Sequence, residues 1–288
     1  MSGPFDFATP TALDYFASLV ADDDSIAVLE AAVAVAQDEA PALDTQAVLA
    51  EIDALALQLC RRLPADAGPM QRLRALNRYF FEELGFAGNV NDYYDPRNSY
   101  LPDVLARRRG IPITLALVYV ELALQAGLEA AGVAFPGHFL VKLHMPQGEV
   151  VIDPFTGESL SRHALDERLQ PYRAHHGLGG DDELPLGLFL QAAPPRDVIA
   201  RLLRNLKEIH RSAGDAPRLL AVMERLVILL PEAWDERRDR GLVLAQLGRI
   251  DRALDDISEY LAHRPQADDA AGLLRQVQVW RGGQGPLH

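Results

Sequence analysis

Apolar residues recur at helical spacing through most of the chain, and the pattern changes between about residue 85 and residue 155 and again from Pro171 to Pro195. Ala12 to Val20 is a short apolar run, and Asp24 or Ser25 stands where a cap would open a second helix reaching about Asp38, ahead of Pro41. Val48, Leu49, Ile52, Leu55, Leu59 and Leu63 mark one face of a longer helix that Asp44 or Thr45 opens and Pro64 follows. Leu73, Leu76, Tyr79, Phe80 and Leu84 mark another helix, from Pro69, which stops at Gly85.

From Gly88 to Tyr100 the pattern gives way to Asn, Asp, Gly and Pro, the composition of a loop. Its tyrosines, Tyr93, Tyr94 and Tyr100, either pin that loop to the domain or line a site. Pro102 opens a short helix through Ala106, which ends in Arg107, Arg108, Arg109 and Gly110. Cations suit the negative end of a helix, so the arginine run reads as a terminus before it reads as an anion site. Pro112 then starts a helix that is apolar nearly all round, from Ile113 to Leu124, and such a helix must be central. It stops at Gly127. Val133 to Phe135, His138 to Met145 and Glu149 to Ile152 read as strands, the last two joined by a turn at Pro146-Gln147-Gly148. A central helix on an antiparallel sheet is an α+β arrangement.

Beyond the sheet, Ser161 can cap a short helix to Leu169, and Pro171 to Pro195 reads as an irregular linker rich in Gly, Pro and acid. From Arg196 onward the pattern is helical and repeats, with Pro231 and Pro265 one 34-residue period apart. Gly241, Leu244, Ala253 and Ile257 follow the small and large order of a tetratricopeptide unit, and the same offsets one period earlier give the degenerate set Lys207, His210, Leu219 and Met223. Two imperfect units read as a helical buttress before they read as a peptide groove, because about three repeats are needed for a solenoid to stand alone. The resulting division is N-terminal helices 1–43, core 44–170, linker 171–195 and helical domain 196–288.

Composition narrows the functions. The 288 residues carry a formal charge of −13, so the surface repels phosphate backbones and anionic lipid; no nucleic acid and no membrane is expected as a partner. The single cysteine, Cys60, excludes an intrachain disulfide framework and reads as a small core residue in a reducing compartment. Met1 to Asp6 has neither the basic nor the apolar part of a secretory signal, and Thr114, Glu121 and Gln125 interrupt the most apolar stretch, so a cytoplasmic protein is expected.

Four ordered blocks resemble one bacterial family. They are Asn98-Ser99-Tyr100-Leu101-Pro102-Asp103-Val104-Leu105, Arg108-Arg109-Gly110-Ile111-Pro112-Ile113-Thr114-Leu115-Ala116, Pro136-Gly137-His138-Phe139-Leu140-Val141 and Asp153-Pro154-Phe155-Thr156-Gly157. Together they are similar to the SirB-type proteins, which join a transglutaminase-like core to a tetratricopeptide-like tail. The resemblance implies a papain-like, transglutaminase-type fold, with His138 and Asp153 at the base and acid positions and Asn98, Ser99, Tyr100, Arg109 and Pro112 lining the cleft. It implies no established reaction. The helix start where that superfamily carries its cysteine holds Pro112, Ile113 and Thr114, and only Thr114 has a nucleophilic atom. A threonine hydroxyl is far harder to deprotonate than a thiol, and early in a helix it commonly bonds a free N–H or carbonyl.

His138 and Asp153 are open to two readings, a catalytic pair or a hydrogen bond tying two strands. Metal binding by His138, His144, Asp153, His163, His175 or His176 is not expected, since the spacings of zinc enzymes are missing, and no cofactor is expected. The preferred function is a non-catalytic regulatory scaffold with a protein or peptide partner. The alternative is a hydrolase or acyl-transferase using His138 and Asp153 with Thr114 or a bound water.

Overall fold

A computed structural model of the chain describes residues 10–177 and 184–283. Contacts gather into two compact units, Ile26–Leu202 and the paired segments Met1–Ser25 and Leu203–His288. Helix α1 (Ala12–Leu19) is therefore grouped with the C-terminal helices, unlike the division at residue 43 drawn from sequence. Its Phe16 is fully buried, with the Arg225 guanidinium 5.5 Å from the ring centroid. Phe16 anchors α1 there, which spacing alone does not reveal.

In the unit from Ile26 to Leu202, α2 (Val28–Ala34) starts later than expected and without a side-chain cap, because Asp23–Ser25 closes its own 3-10 turn. Helix α3 (Thr45–Cys60) is capped by Asp44, whose carboxylate accepts from the Gln46 and Ala47 N–H groups. Helix α4 (Pro69–Asn77) passes into a π-helical stretch over Arg78–Glu83, and the chain turns at Gly85 with φ of 72°. There Phe80 stacks on Phe86 at 4.5 Å and meets the edge of Tyr119.

Strand β1 (Ala87–Gly88) leads into the loop, which closes on Asn98. Helix α5 (Leu101–Arg107) ends where Arg108 takes up a left-handed backbone with φ of 55°, so the stop is Arg108 and not Gly110. Gly110 belongs to β2 (Arg109–Gly110), which pairs in parallel with β1. The three arginines are spoken for: Arg107 pairs with Asp95, Arg108 with Glu51, and Arg109 donates to the Gly85 carbonyl.

Helix α6 (Pro112–Gln125) is the centre of this unit, with nine of its side chains from Pro112 to Ala123 buried. Gly127, at φ of 76°, turns the chain at once into β3 (Glu129–Val133), four residues before the strand expected at Val133. Phe135 to His138 is a turn, closed by the His138 N–H on the Phe135 carbonyl at 3.0 Å, so the strand expected from His138 begins later, as β4 (Leu140–Met145). Strands β5 (Gly148–Ile152) and β6 (Ser159–Leu160) complete an antiparallel sheet in the order β3-β4-β5-β6. Helix α6 packs on β3 and β4. Val133, Leu140 and Val151 instead meet Leu165 and Leu169 of α7 (Arg162–His176), and alternation along β4 sends Val141 and Leu143 to the face of α6. The fold is α+β.

Helix α7, capped by Ser161, runs through Pro171 where an irregular linker was expected. Buried Arg173, which donates to the Leu184 carbonyl, ties its last turn down. The rest of the Gly-rich, acidic stretch, from Leu178 to Glu183, lies outside the described residues, and the short α8 (Leu186–Phe189) follows.

Helix α9 (Pro195–Ser212) crosses the boundary between the units. It is followed by α10 (Ala216–Leu229), α11 (Trp234–Gln246), α12 (Ile250–His263) and α13 (Ala270–Gly283). A Cβ on Gly241 would lie 2.9 Å from Ile257, so α11 and α12 approach too closely for a larger residue. One period earlier the place of Gly241 is held by Lys207, whose buried ammonium pairs with Glu236 and Asp239 of α11. Among the described residues no helix is long and apolar enough to cross a membrane.

Candidate functional site

His138 ends the turn before β4, and Asp153 follows β5 directly; the pairing of Val141 with Ile152 brings the two ends together. His138 Nε2 lies 2.8 Å from Asp153 Oδ1. Asp153 is 2% exposed and also accepts from the Phe155 N–H at 3.0 Å and from Arg168 at 2.9 Å. Burial alone would raise its pKa, but the bonds from His138 and Arg168, with the Phe155 N–H, outweigh it and hold the carboxyl below the usual range. An ionised carboxylate only accepts, so His138 carries its proton on Nε2 when neutral. Nδ1 makes no hydrogen bond among the described residues, and the side chain is 24% exposed.

Arg168 changes what this pair can do. In a working relay the carboxylate stabilises the imidazolium formed as the base takes a proton. Here a guanidinium on the second oxygen already neutralises that carboxylate and would repel an imidazolium.

The start of α6 is built from different parts. Thr114 is 0% exposed, and its Oγ accepts from the Ile111 N–H at 3.2 Å and donates to the Asn98 carbonyl at 2.8 Å. A hydroxyl has one proton, and this one is committed. The same Asn98 carbonyl accepts from the Ile111 N–H, and the Asn98 side chain is held by Asn89 and by the Asp92 carbonyl. Thr114 thus closes the loop onto the helix. The two regions are linked through the small parallel pair: Asn89 N–H bonds the Gly110 carbonyl, Gly88 N–H bonds the Phe155 carbonyl, and Phe155 N–H bonds Asp153.

Of the residues expected to line the cleft, Asn98 and Ser99 are wholly buried and Tyr100 and Pro112 nearly so; they serve the junction and offer almost no open surface. Arg109 is exposed and bonds the Gly85 and Arg108 carbonyls. Another cation stands at the turn that His138 ends. Arg201 of α9 donates to the Phe135 carbonyl at 3.3 Å and lies 5.7 Å from the Phe139 ring centroid. Tyr93 interacts with Arg201 and lies 6.0 Å from the ring of Phe155.

A family model described as the transglutaminase-like superfamily matches residues 46–204, and one described as a tetratricopeptide repeat matches residues 206–278. The chain belongs to the transglutaminase-like superfamily. Its relatives include a UPF0162 protein of Xylella fastidiosa (strain Temecula1 / ATCC 700964), 38% identical over 251 residues that cover 85% of this chain and 86% of the relative. A UPF0162 protein of Pseudomonas aeruginosa is 34% identical over 221 residues, 77% of this chain and 78% of the relative. The UPF0162 protein YchA of Escherichia coli (strain K12) is 31% identical over 209 residues, 71% and 74% of the two chains. No solved structure matches the chain.

For a transglutaminase-like chain, the position of its one cysteine matters. Cys60 Sγ lies 3.3 Å from the carbonyl of Gln125, the last residue of α6, roughly 20 Å along the helix from its start at 1.5 Å per residue. It cannot stand in for a nucleophile at Pro112 to Thr114. His175 and His176 occupy the last turn of α7, where His176 Nδ1 bonds the Tyr172 carbonyl. Arg168 and Arg201 were missed in the sequence because each lies in a helix beyond the motif blocks. The aromatic loop of Tyr93 and Tyr94 was the one visible signal.

Proposed function

We propose that this transglutaminase-like protein does no acyl chemistry and serves as a cytoplasmic, non-catalytic scaffold that binds a protein partner in a regulatory role, in line with its SirB-type resemblance. The observation that carries the reading is Thr114: the one nucleophilic atom at the start of α6 is wholly buried and spends its proton on the Asn98 carbonyl. Arg168 on Asp153 points the same way, since it weakens the acid on which a base would rely. Support for binding comes from exposed apolar surface. Val90 and Tyr94 stand in solvent, and an apolar groove of about 580 Å³ runs past Leu117, Val120, Ala130 and Phe139. Tetratricopeptide helices commonly hold protein partners, which adds a second surface.

One feature favours the other reading, a hydrolase working through a bound water: His138 Nδ1 makes no hydrogen bond among the described residues and the ring is partly exposed. Hydrolysis of activated esters and amides by the whole chain and by His138→Gln separates the two. The scaffold reading predicts equal, background rates. A fall of about a hundredfold or more on removing His138, the share a general base supplies, would establish the enzyme instead.

A further inference from the structure

We propose that Arg201, His138 and Tyr93 form a recognition site for the C-terminal residue of a peptide, with its carboxylate on Arg201, its amide N–H on His138 and an apolar side chain against the exposed tyrosines. This rests on the scaffold reading and names what the His138 region would hold.

The chain has 41 acidic residues against 28 Lys and Arg, and several of its arginines are matched by one of those acids. Arg97, Arg107, Arg168, Arg204 and Arg240 all pair with one. Arg201 does not: among the described residues its contacts are the Phe135 carbonyl, the Phe139 ring and Tyr93. Burial penalises its charge and lowers its pKa, and among the described residues no acid offsets that cost. None of its nitrogens is both fully buried and unpaired, so its unused N–H groups keep some access to solvent. A guanidinium fork fits a carboxylate with two parallel bonds.

Two further groups supply the remaining contacts. The Phe135 carbonyl accepts both from Arg201 and from the His138 N–H, so the two residues flank one turn. With Nε2–H on Asp153, neutral His138 presents Nδ1 as an acceptor, which suits an amide N–H and not a carboxylate. Tyr93 lies beside Arg201, and its hydroxyl has no hydrogen bond among the described residues. Tyr93 packs edge-on against Tyr94, 72% exposed, and with Phe155 offers an aromatic wall next to the cation. Carboxylate, amide N–H and apolar side chain occur together at a chain end, whereas an acidic side chain separates its carboxylate from the backbone.

The test is calorimetric or NMR titration of the full chain with N-acetylphenylalanine, N-acetylphenylalaninamide, N-acetylaspartate α-amide and inorganic phosphate. N-acetylphenylalanine is expected to bind at least about tenfold more tightly than the other three, a difference of roughly 1.4 kcal/mol. That preference should vanish in Arg201→Gln and partly return in Arg201→Lys. Should Arg201→Gln fail to fold, Tyr93→Ala carries the test: losing the aromatic wall, it should weaken binding of the acid several-fold. Equal binding of acid and amide, phosphate binding as tight as the acid, or no saturable binding would overturn the proposal. Histidine-dependent hydrolysis would sink the scaffold reading while leaving a preference for the acid in place. Lost preference without hydrolysis would sink this proposal alone.

Discussion

Thr114 decides how this core is to be understood. Its hydroxyl joins the N-cap of α6 to the loop at Asn98, all of it out of reach of water. Thr114→Val keeps the shape but leaves the Asn98 carbonyl and the Ile111 N–H only their bond to each other, so losing two buried hydrogen bonds should cost about 1–3 kcal/mol in denaturant unfolding, while Thr114→Ser costs less. A neutral Thr114→Val would mean that the junction is held by something else. Asp153 makes a second prediction through its lowered pKa. A carboxyl with a depressed folded pKa contributes stability that is fully present above its unfolded value, about 3.9, and is lost as pH falls through the folded value. Asp153→Asn should therefore be less stable than wild type at neutral pH, and the gap should close below about pH 4. A gap that widens toward acid would reverse the sign and refute the role given to Asp153.

At the scale of elements, the site depends on two strands of two residues each. Gly88 in β1 is pressed by Phe155, and a Cβ there would fall 2.3 Å from the ring. Gly88→Ala must displace Phe155, whose N–H holds Asp153, and should cost about 1–3 kcal/mol by overpacking. Thermal unfolding, with the His138 imidazole resonances as a local reporter, checks both effects; an unchanged melting temperature and unchanged resonances would contradict them. Such short parallel strands have no period to read, so β1 and β2 were invisible in the sequence. Helices α3 and α6 were legible because long apolar faces and Pro or Asp starts agree with each other. The turn at Phe135 to His138 was not, since Phe139 and Leu140 continue the apolar run and mask where the strand starts. Nor was the passage of α7 through Pro171, which local propensity opposes and tertiary anchoring of Arg173 and Leu169 overrides.

For the whole molecule, the transglutaminase-like superfamily, the tetratricopeptide tail and the fold class were legible in ordered motif blocks and in the 34-residue spacing of Pro231 and Pro265. The cations beside the pair of His138 and Asp153 were not, because Arg168 reaches Asp153, and Arg201 the Phe135 carbonyl, from helices that carry no motif. A formal charge of −13 makes that collection of cations the more informative, since it runs against the surface as a whole. What remains in a transglutaminase-like frame without its cysteine is a histidine whose acid is shared and a helix start whose hydroxyl is closed in. The most direct measurement is the intact mass of the folded chain after exposure to an electrophilic acyl probe, followed by peptide mapping. No adduct is expected on Thr114 while the protein stays folded, in wild type and in His138→Gln alike. A stoichiometric acyl-Thr114 that forms in wild type and disappears in His138→Gln would contradict the scaffold reading.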